Sequence, residues 1–436
     1  MWEKYFISGL ILIIVLTTLA LTNSLNYQDS YNINSLKYSA HHERAEKIQQ
    51  AVFPLLRQNA SVDNVRISFP VISGVKTNTD YLLVCYYRWQ GEGSQMLQPS
   101  KINTTLCTHI IVGFALVKNN TLVPADPSDI HGYELVTGLK KTVPNLKVML
   151  SVGGGGGAKG ISPSVSTSQN RAKLISSIIS LLSKCNFDGI DIDWEFPVWD
   201  GSSLEDKKNF ILFLRDLRNA INSERKNYRN KPLLLSVAVA AVLPIMRASY
   251  DIPSLAKYVD FINLMSYDYH DFTWYLPFTG HNSPLYKRKD EFGYFATLNT
   301  AWSAEEWVKK GMPRSKIMVG IPTYAHTYIL ATPYIHGFNA PAVGGGEMTY
   351  DEACNFVKNG AVRVFDKESQ VPYAYKNRTW VGYDDLESVT AKVKWIKSRG
   401  FGGVMTFDLN CDDWNSVCDK ALPFPLHRRM YELLKT

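Results

Sequence analysis

Cysteine is scarce in this chain: six in 436 residues, at positions 85, 107, 185, 354, 411 and 418. That is too few for the disulfide scaffold of a small secreted domain, and no pair has the spacing of a zinc finger. Positive charge is thin as well. The net charge of +7 is spread along the chain, and the densest basic run, Tyr286 to Asp290, is short and broken by acid. Nucleic-acid binding needs a basic stripe or a reading motif, and neither is present. Internal repeats and low-complexity tracts are missing too. The glycine-rich run Ser151–Gly160 lacks the G-K-[ST] ending of a phosphate loop, because Lys159 follows Ala158 and precedes Gly160. Its expected role is to let backbone pass close to the mouth of a barrel.

What the chain does have begins at its N-terminus. Tyr5 to Thr22 is uncharged, strongly apolar and about long enough to span a bilayer. Lys4 precedes it and no strong basic cluster follows, which places the C-terminal side in the lumen or outside. A cleaved signal peptide would want small residues at the cut, and Ala20 with Thr22 matches poorly. The favoured reading is therefore an uncleaved, single-pass type II anchor at residues 1–22, with the secretory lumen or cell exterior as compartment either way. Sequons at Asn59, Asn103, Asn119 and Asn377 agree with that compartment. Residues 23–79 are polar and read as a stem or linker, with a short helix around "HHERAEKIQQAVFPLLRQ".

From residue 80 to 436 the pattern changes. Short β-branched runs alternate with amphipathic helical stretches, as in parallel βα units. Eight strands are predicted, at 81–87, 109–117, 147–152, 189–196, 233–241, 261–267, 316–324 and 402–409. Helical spacing is clear in 171–184, in Phe210, Leu214, Leu217 and Ile221, and in two stretches that end in glycine after basic residues. The expected fold is an α/β (β/α)8 TIM barrel, with its site at the carboxyl ends of the strands. More than sixty residues separate the seventh strand from the helix at Ser388, which predicts a small inserted subdomain at about 327–383 beside the mouth of the barrel.

One strand candidate carries unusual charge. "FDGIDIDWEFP", Phe187 to Pro197, holds Asp188, Asp191, Asp193 and Glu195 among isoleucines and aromatics. In a strand, Asp191, Asp193 and Glu195 share one face and Ile190, Ile192, Trp194 and Phe196 the other. Facing the barrel axis, neighbouring acids would lie roughly 6–7 Å apart. Like charges that close cannot all ionise in a partly dry site, so one carboxyl keeps its proton, as a general acid requires. A salt-bridged strand is the bland alternative, but the other strands offer almost no Arg or Lys. A Mg²⁺ or Ca²⁺ site is the other. Further strand ends add Met265, Tyr267 and Asp268, then Tyr324 and His326, then Met405 and Phe407. Tyr86, Trp89, Phe114 and Trp274 offer flat faces. Aromatic faces beside carboxylates and hydroxyls suit a sugar. His270 and His281 read as hydrogen-bonded structural residues.

At this point the sequence resembles a known family. "DGIDIDWE" matches the D-G-x-D-x-D-x-E signature of family-18 glycoside hydrolases, the chitinases, and Tyr81–Thr436 is similar to the animal chitotriosidase group. "CTHIIVGFA", "SVGG", "NLMSYDYH", "GHNSPLYKR", "GIPTY" and "WVGYDDLES" follow in the family's order. The resemblance implies an endo-acting chitinase that cuts β-1,4 bonds between N-acetylglucosamine units, with substrate-assisted retention of configuration. It implies Glu195 as general acid and base, Asp193 orienting the acetamide, and Asp191 sharing a proton with Asp193. Tyr267 would hold the acetamido oxygen, and Asp268 would line the next subsite. Asp188 and Gly189 would be structural. The α+β character of the insertion is likewise implied by the resemblance. Disulfides Cys85–Cys107 and Cys354–Cys418 are implied, leaving Cys185 and Cys411 unpaired. The expected partner is chitin or a chitooligosaccharide, with no cofactor, no metal, no nucleic acid, contact with membrane only through the N-terminal segment, and a monomeric state. With one helix left after the eighth strand, no appended carbohydrate-binding module is expected.

Three positions depart from the family pattern. A tryptophan on the last strand is Phe407, an arginine after the seventh-strand tyrosine is His326, and a tryptophan after the paired glycines is Gly155. Each removes sugar contact without touching the acid. The alternative they keep open is a chitooligosaccharide-binding lectin of the same family with weak or no activity.

Overall fold

A computed structural model describes residues 81–91, 96–199, 201–228, 232–418, 420 and 422–436. The expected anchor, the stem with its short helix, and the Asn59 sequon lie outside the described residues. In chain order the strands are β1 Leu82–Arg88, β2 His109–Lys118, β3 Thr121–Val123, β4 Lys147–Gly153, β5 Gly189–Asp193, β6 Leu234–Ala240 and β7 Phe261–Met265. They continue as β8 Ile317–Pro322, β9 Tyr324–Leu330, β10 Ala342–Thr349, β11 Val362–Asp366, β12 Val371–Lys376, β13 Thr379–Gly382 and β14 Gly403–Phe407. The longer helices are α1 Asp129–Gly138, α2 Ser168–Lys184, α3 Asp206–Tyr228, α4 Thr300–Lys309, α5 Tyr350–Lys358, α6 Leu386–Ser398 and α7 Pro425–Lys435.

Eight parallel strands pair in the order β1-β14-β8-β7-β6-β5-β4-β2, and β1 closes on β2. The closed barrel is the fold the alternating pattern predicts. Two apolar clusters fill it. The larger lies between strands and helices and takes Ile190, Ile192, Trp194 and Phe196 from the acidic strand. The smaller is inside the barrel, with Val84, Tyr86, Ile111, Met149, Met318 and Met405.

Helix boundaries follow local chemistry. α2 starts three residues before the predicted residue 171, because the Thr167 side chain accepts from the Asn170 N–H and caps it. In α3 the stripe Phe210, Leu214, Leu217 and Ile221 is fully buried. α4 and α6 are followed by Gly311 and Gly400 at φ of +110° and +70°, left-handed positions that suit a residue without Cβ.

The seventh strand is shorter than its apolar run. β8 ends at Pro322, which has no N–H to give to a ladder, and after Thr323 the chain enters a second sheet. That sheet is antiparallel, ordered β10-β9-β13-β12-β11, with α5 beside it. It begins at Tyr324 rather than near residue 327, so Tyr324 and His326 sit on its first strand. Disulfides join Cys85 to Cys107 and Cys354 to Cys418, while Cys185 and Cys411 are free and buried.

The type II membrane location favoured from Tyr5–Thr22 is corrected. No helix among the described residues is long and apolar enough to cross a membrane. The longest of them, α3 at 23 residues, is amphipathic and carries Lys207, Lys208, Arg215, Asp216 and Arg218, charges that a bilayer core would not accept.

Candidate active site

β5 lies between β4 and β6, its five residues all buried. The isoleucines enter the outer core, so Asp191 and Asp193 face the barrel axis. Asp191 is held by neutral donors from four strands. Tyr86 Oη and Ser151 Oγ donate to Oδ2 at 2.7 Å each; Ser236 Oγ donates to Oδ1 at 2.6 Å and Asn263 Nδ2 at 3.1 Å. Ser151 and Ser236 are the in-register neighbours of Asp191 on the flanking strands. Burial pushes its carboxyl up, and the four hydrogen bonds pull it only part of the way back. No lysine or arginine among the described residues pairs with it, so the salt-bridged alternative has no cation here.

Asp193, two residues on, is 4% exposed, and its Oδ1 is buried without a hydrogen-bond partner. Burial, then the charge of Glu195, then that of Asp191, raise its carboxyl well above the ordinary range. Two adjacent acids thus have opposite surroundings: one is hydrogen-bonded on both oxygens, the other is left to keep a proton.

Glu195 lies just past the strand and is half-buried. Strand 5 was expected to run to 196, but pairing with β4 stops at Gly153 opposite Asp193. The glycine run explains the close fit there. Gly153 has φ +110°, and a Cβ on it would meet Asp193 O at 2.1 Å. The Gly154 N–H donates to that same carbonyl at 2.8 Å. Gly155 then faces the acid: a Cβ built on it would lie 3.8 Å from Glu195 Oε1. The position where the family pattern has a tryptophan therefore adjoins the candidate general acid, and here it has no side chain.

The rim gathers most of the other expected residues. Phe407 sits among four rings, with centroids 5.7 Å from Tyr86, 6.5 Å from Phe114, and 6.2 Å from both Tyr267 and Tyr324. The Arg88 guanidinium lies 5.5 Å from the same ring and pairs with Asp408. Met265 and Met405 pack against this group, and Tyr267 Oη approaches Met405 Sδ at 3.9 Å. Asp268, at φ +56°, accepts on one oxygen from Tyr324 Oη at 2.5 Å and pairs with His326 Nε2 at 2.8 Å. Burial lowers the His326 pKa, but Asp268, then Asp271 and Glu347, outweigh it and the net shift is upward.

Other expected residues lie elsewhere. The Trp89 indole covers Gly132 of α1 and belongs to the outer core, not the mouth. Trp274 is 60% exposed on the loop after β7, perpendicular to Tyr275. Asp188 is at the foot of the strand, where it accepts from the Val148 N–H at 2.8 Å and meets Lys140 at 3.0 Å. A Cβ on Gly189 would strike Leu234 O at 2.4 Å. His281 pairs with Asp366, as a structural histidine should. His270 does not: its buried Nε2 has no hydrogen-bond partner, and its ring stacks on Phe295 instead. Ser151, Ser236 and Asn263 were missed. Their signal was present, since each is a polar residue inside an otherwise apolar strand.

Residues 82–412 match the family described as glycosyl hydrolases family 18. The chain belongs to this family. It is 36% identical over 367 residues to mouse chitotriosidase-1, covering 81% of this chain and 78% of that one. It is also 36% identical over 361 residues to human chitinase-3-like protein 2, covering 79% of this chain and 90% of that protein. Among solved structures it resembles human YKL-39, described as a pseudo-chitinase with retained chitooligosaccharide binding, at TM-score 0.77 and 35% identity, covering 82% and 100%. Family-18 relatives of similar distance therefore include both a chitinase by name and a binding protein.

Proposed function

We propose that the chain is a chitinase that hydrolyses β-1,4-linked N-acetylglucosamine polymers with retention. The observation that carries this reading is the pair of unlike aspartates beneath Glu195. Asp191 is fixed and hydrogen-bonded; Asp193 is buried, lacks a partner on Oδ1, and is pushed toward its protonated form by burial and by Glu195.

In the proposed cycle Glu195 gives its proton to the glycosidic oxygen as the C1–O bond breaks. The acetamido oxygen of the same sugar forms the new bond to C1, giving an oxazolinium ion. Asp193 accepts from the acetamide N–H and offsets the positive charge, while its own proton is shared toward Asp191. Tyr267 donates to the acetamido oxygen as it attacks. Water then adds at C1, losing its proton to Glu195, and the amide reforms. No second carboxylate is needed as nucleophile.

Turnover of a fluorogenic chitobiose glycoside by wild type and by Glu195→Gln, with the fold followed by circular dichroism, tests the proposal. A folded variant with wild-type turnover would refute it. A second reading is a chitooligosaccharide-binding protein without turnover. What favours it is the vacant space at Gly155 and the enclosure of Phe407 by four neighbouring rings. Saturable binding of chitotetraose with no products after prolonged incubation would establish it.

A further inference from the structure

The exposed apolar surface is unevenly distributed. Among the described residues eight large aromatic side chains are exposed, and seven of them lie between Trp274 and Phe295, on the loop joining β7 to α4. That loop exposes no large aliphatic side chain; Leu285 within it is buried. Protein-binding surfaces mix aromatics with methionine and arginine around an apolar centre. Here the exposed apolar surface is made of rings rather than aliphatic side chains, which suits a ligand that offers flat C–H faces and an edge of hydroxyls, the shape of a pyranose.

The rings include two contacting pairs, and one of these is tied to the rim. Tyr275 lies 5.7 Å from Trp274 and perpendicular to it, and Tyr294 lies 6.0 Å from Phe295. Phe295 stacks on His270 at 6.4 Å and 11°, two residues from Asp268. Burial pushes the Tyr294 hydroxyl up to about 12, and the nearby Tyr275 adds to the shift. Phe292, 83% exposed, stands two residues before Tyr294.

We propose that Tyr275, Phe292, Tyr294 and Phe295 form a second saccharide platform, outside the reacting groups, that takes the flat faces of polymeric β-linked N-acetylglucosamine. The ligand class rests on the function proposed above; the platform itself rests on the rings.

The test is retention of the full-length Glu195→Gln chain on insoluble chitin, with saturating chitotriose present to fill the reacting subsites. Two paired changes are compared, Tyr275→Ser with Phe292→Ser and Tyr294→Ala with Phe295→Ala. Should the second pair fail to fold, the first, on exposed rings, still decides. Tyr275→Phe with Phe292→Tyr keeps both rings and is expected to restore retention. Two lost ring contacts predict about tenfold weaker retention, with turnover of a soluble chitobiose glycoside by the Glu195-bearing counterparts held within about twofold. Unchanged retention in both pairs would overturn the platform, as would complete release of the unaltered chain by chitotriose, or equal losses on the short glycoside. If wild type retains polymer through these rings yet cleaves nothing, the hydrolase reading falls and the platform stands.

Discussion

The floor and the rim of the barrel mouth hold carboxylates by different means. On the floor, Asp191 is buried beneath four neutral donors. At the rim, the Asp268 side chain is 55% exposed and its partners are a tyrosine and a histidine. A neutral cage fixes a charge without cancelling it, so the field of Asp191 still reaches Asp193. A histidine partner cancels charge, and only over part of the pH range. On the proposed function, the floor governs rate and the rim governs binding.

The largest effect expected from breaking this division is that of Glu195→Gln, which removes the transferable proton. Turnover of a fluorogenic chitobiose glycoside should fall by roughly 10²- to 10⁴-fold with little change in KM. Next is Asp193→Asn, expected to lower kcat by about 10²- to 10³-fold. The same variant sharpens the electrostatic argument. The Asp193 pKa is raised in the folded state, so stability is greatest below the ordinary carboxylate range and is lost as pH rises through the raised value. Thermal unfolding from pH 4 upward should show that loss in wild type and less of it in the variant. Asp191→Leu should be felt in folding, costing about 1–3 kcal/mol in urea denaturation, because the buried hydroxyls of Ser151 and Ser236 lose their acceptor. The smallest effect is that of His326→Gln: KM for chitotriose glycosides should rise about threefold, a loss near 0.7 kcal/mol, with kcat held. His326 has its pKa raised above 6.5, so its pairing contributes fully below that value and fades as pH rises through the raised one. The difference in melting temperature between wild type and this variant should therefore shrink toward alkaline pH. A constant difference would mean that the histidine acts by packing alone.

Much of this arrangement was legible in the sequence because barrels follow strict periodicities. Alternation alone put Asp191 and Asp193 on the inner face, and apolar runs located all eight parallel strands. What escaped was register and direction. Ser151, Ser236 and Asn263 gain meaning only once the closed barrel turns β1, β4, β6 and β7 toward the same axis as β5, which spacing along one strand does not reveal. Trp89 looked like a rim aromatic because it follows β1, yet Gly132 leaves a space on α1 that the indole covers. The apolar run at 316–324 hid a break, since Pro322 and Thr323 turn the chain into another sheet without any loss of hydrophobicity.

Only Thr323 separates the barrel from the antiparallel sheet, and its hydroxyl donates to the Asp408 carbonyl at 2.5 Å. The inserted unit is therefore more than a wall added beside the mouth: its opening residues, Tyr324 and His326, are the groups that grip Asp268. Grafting residues 324–382 from a relative would import those grips along with the wall. On the proposed function, chimeras made at this seam would inherit the donor's sugar preference while keeping the recipient's acids.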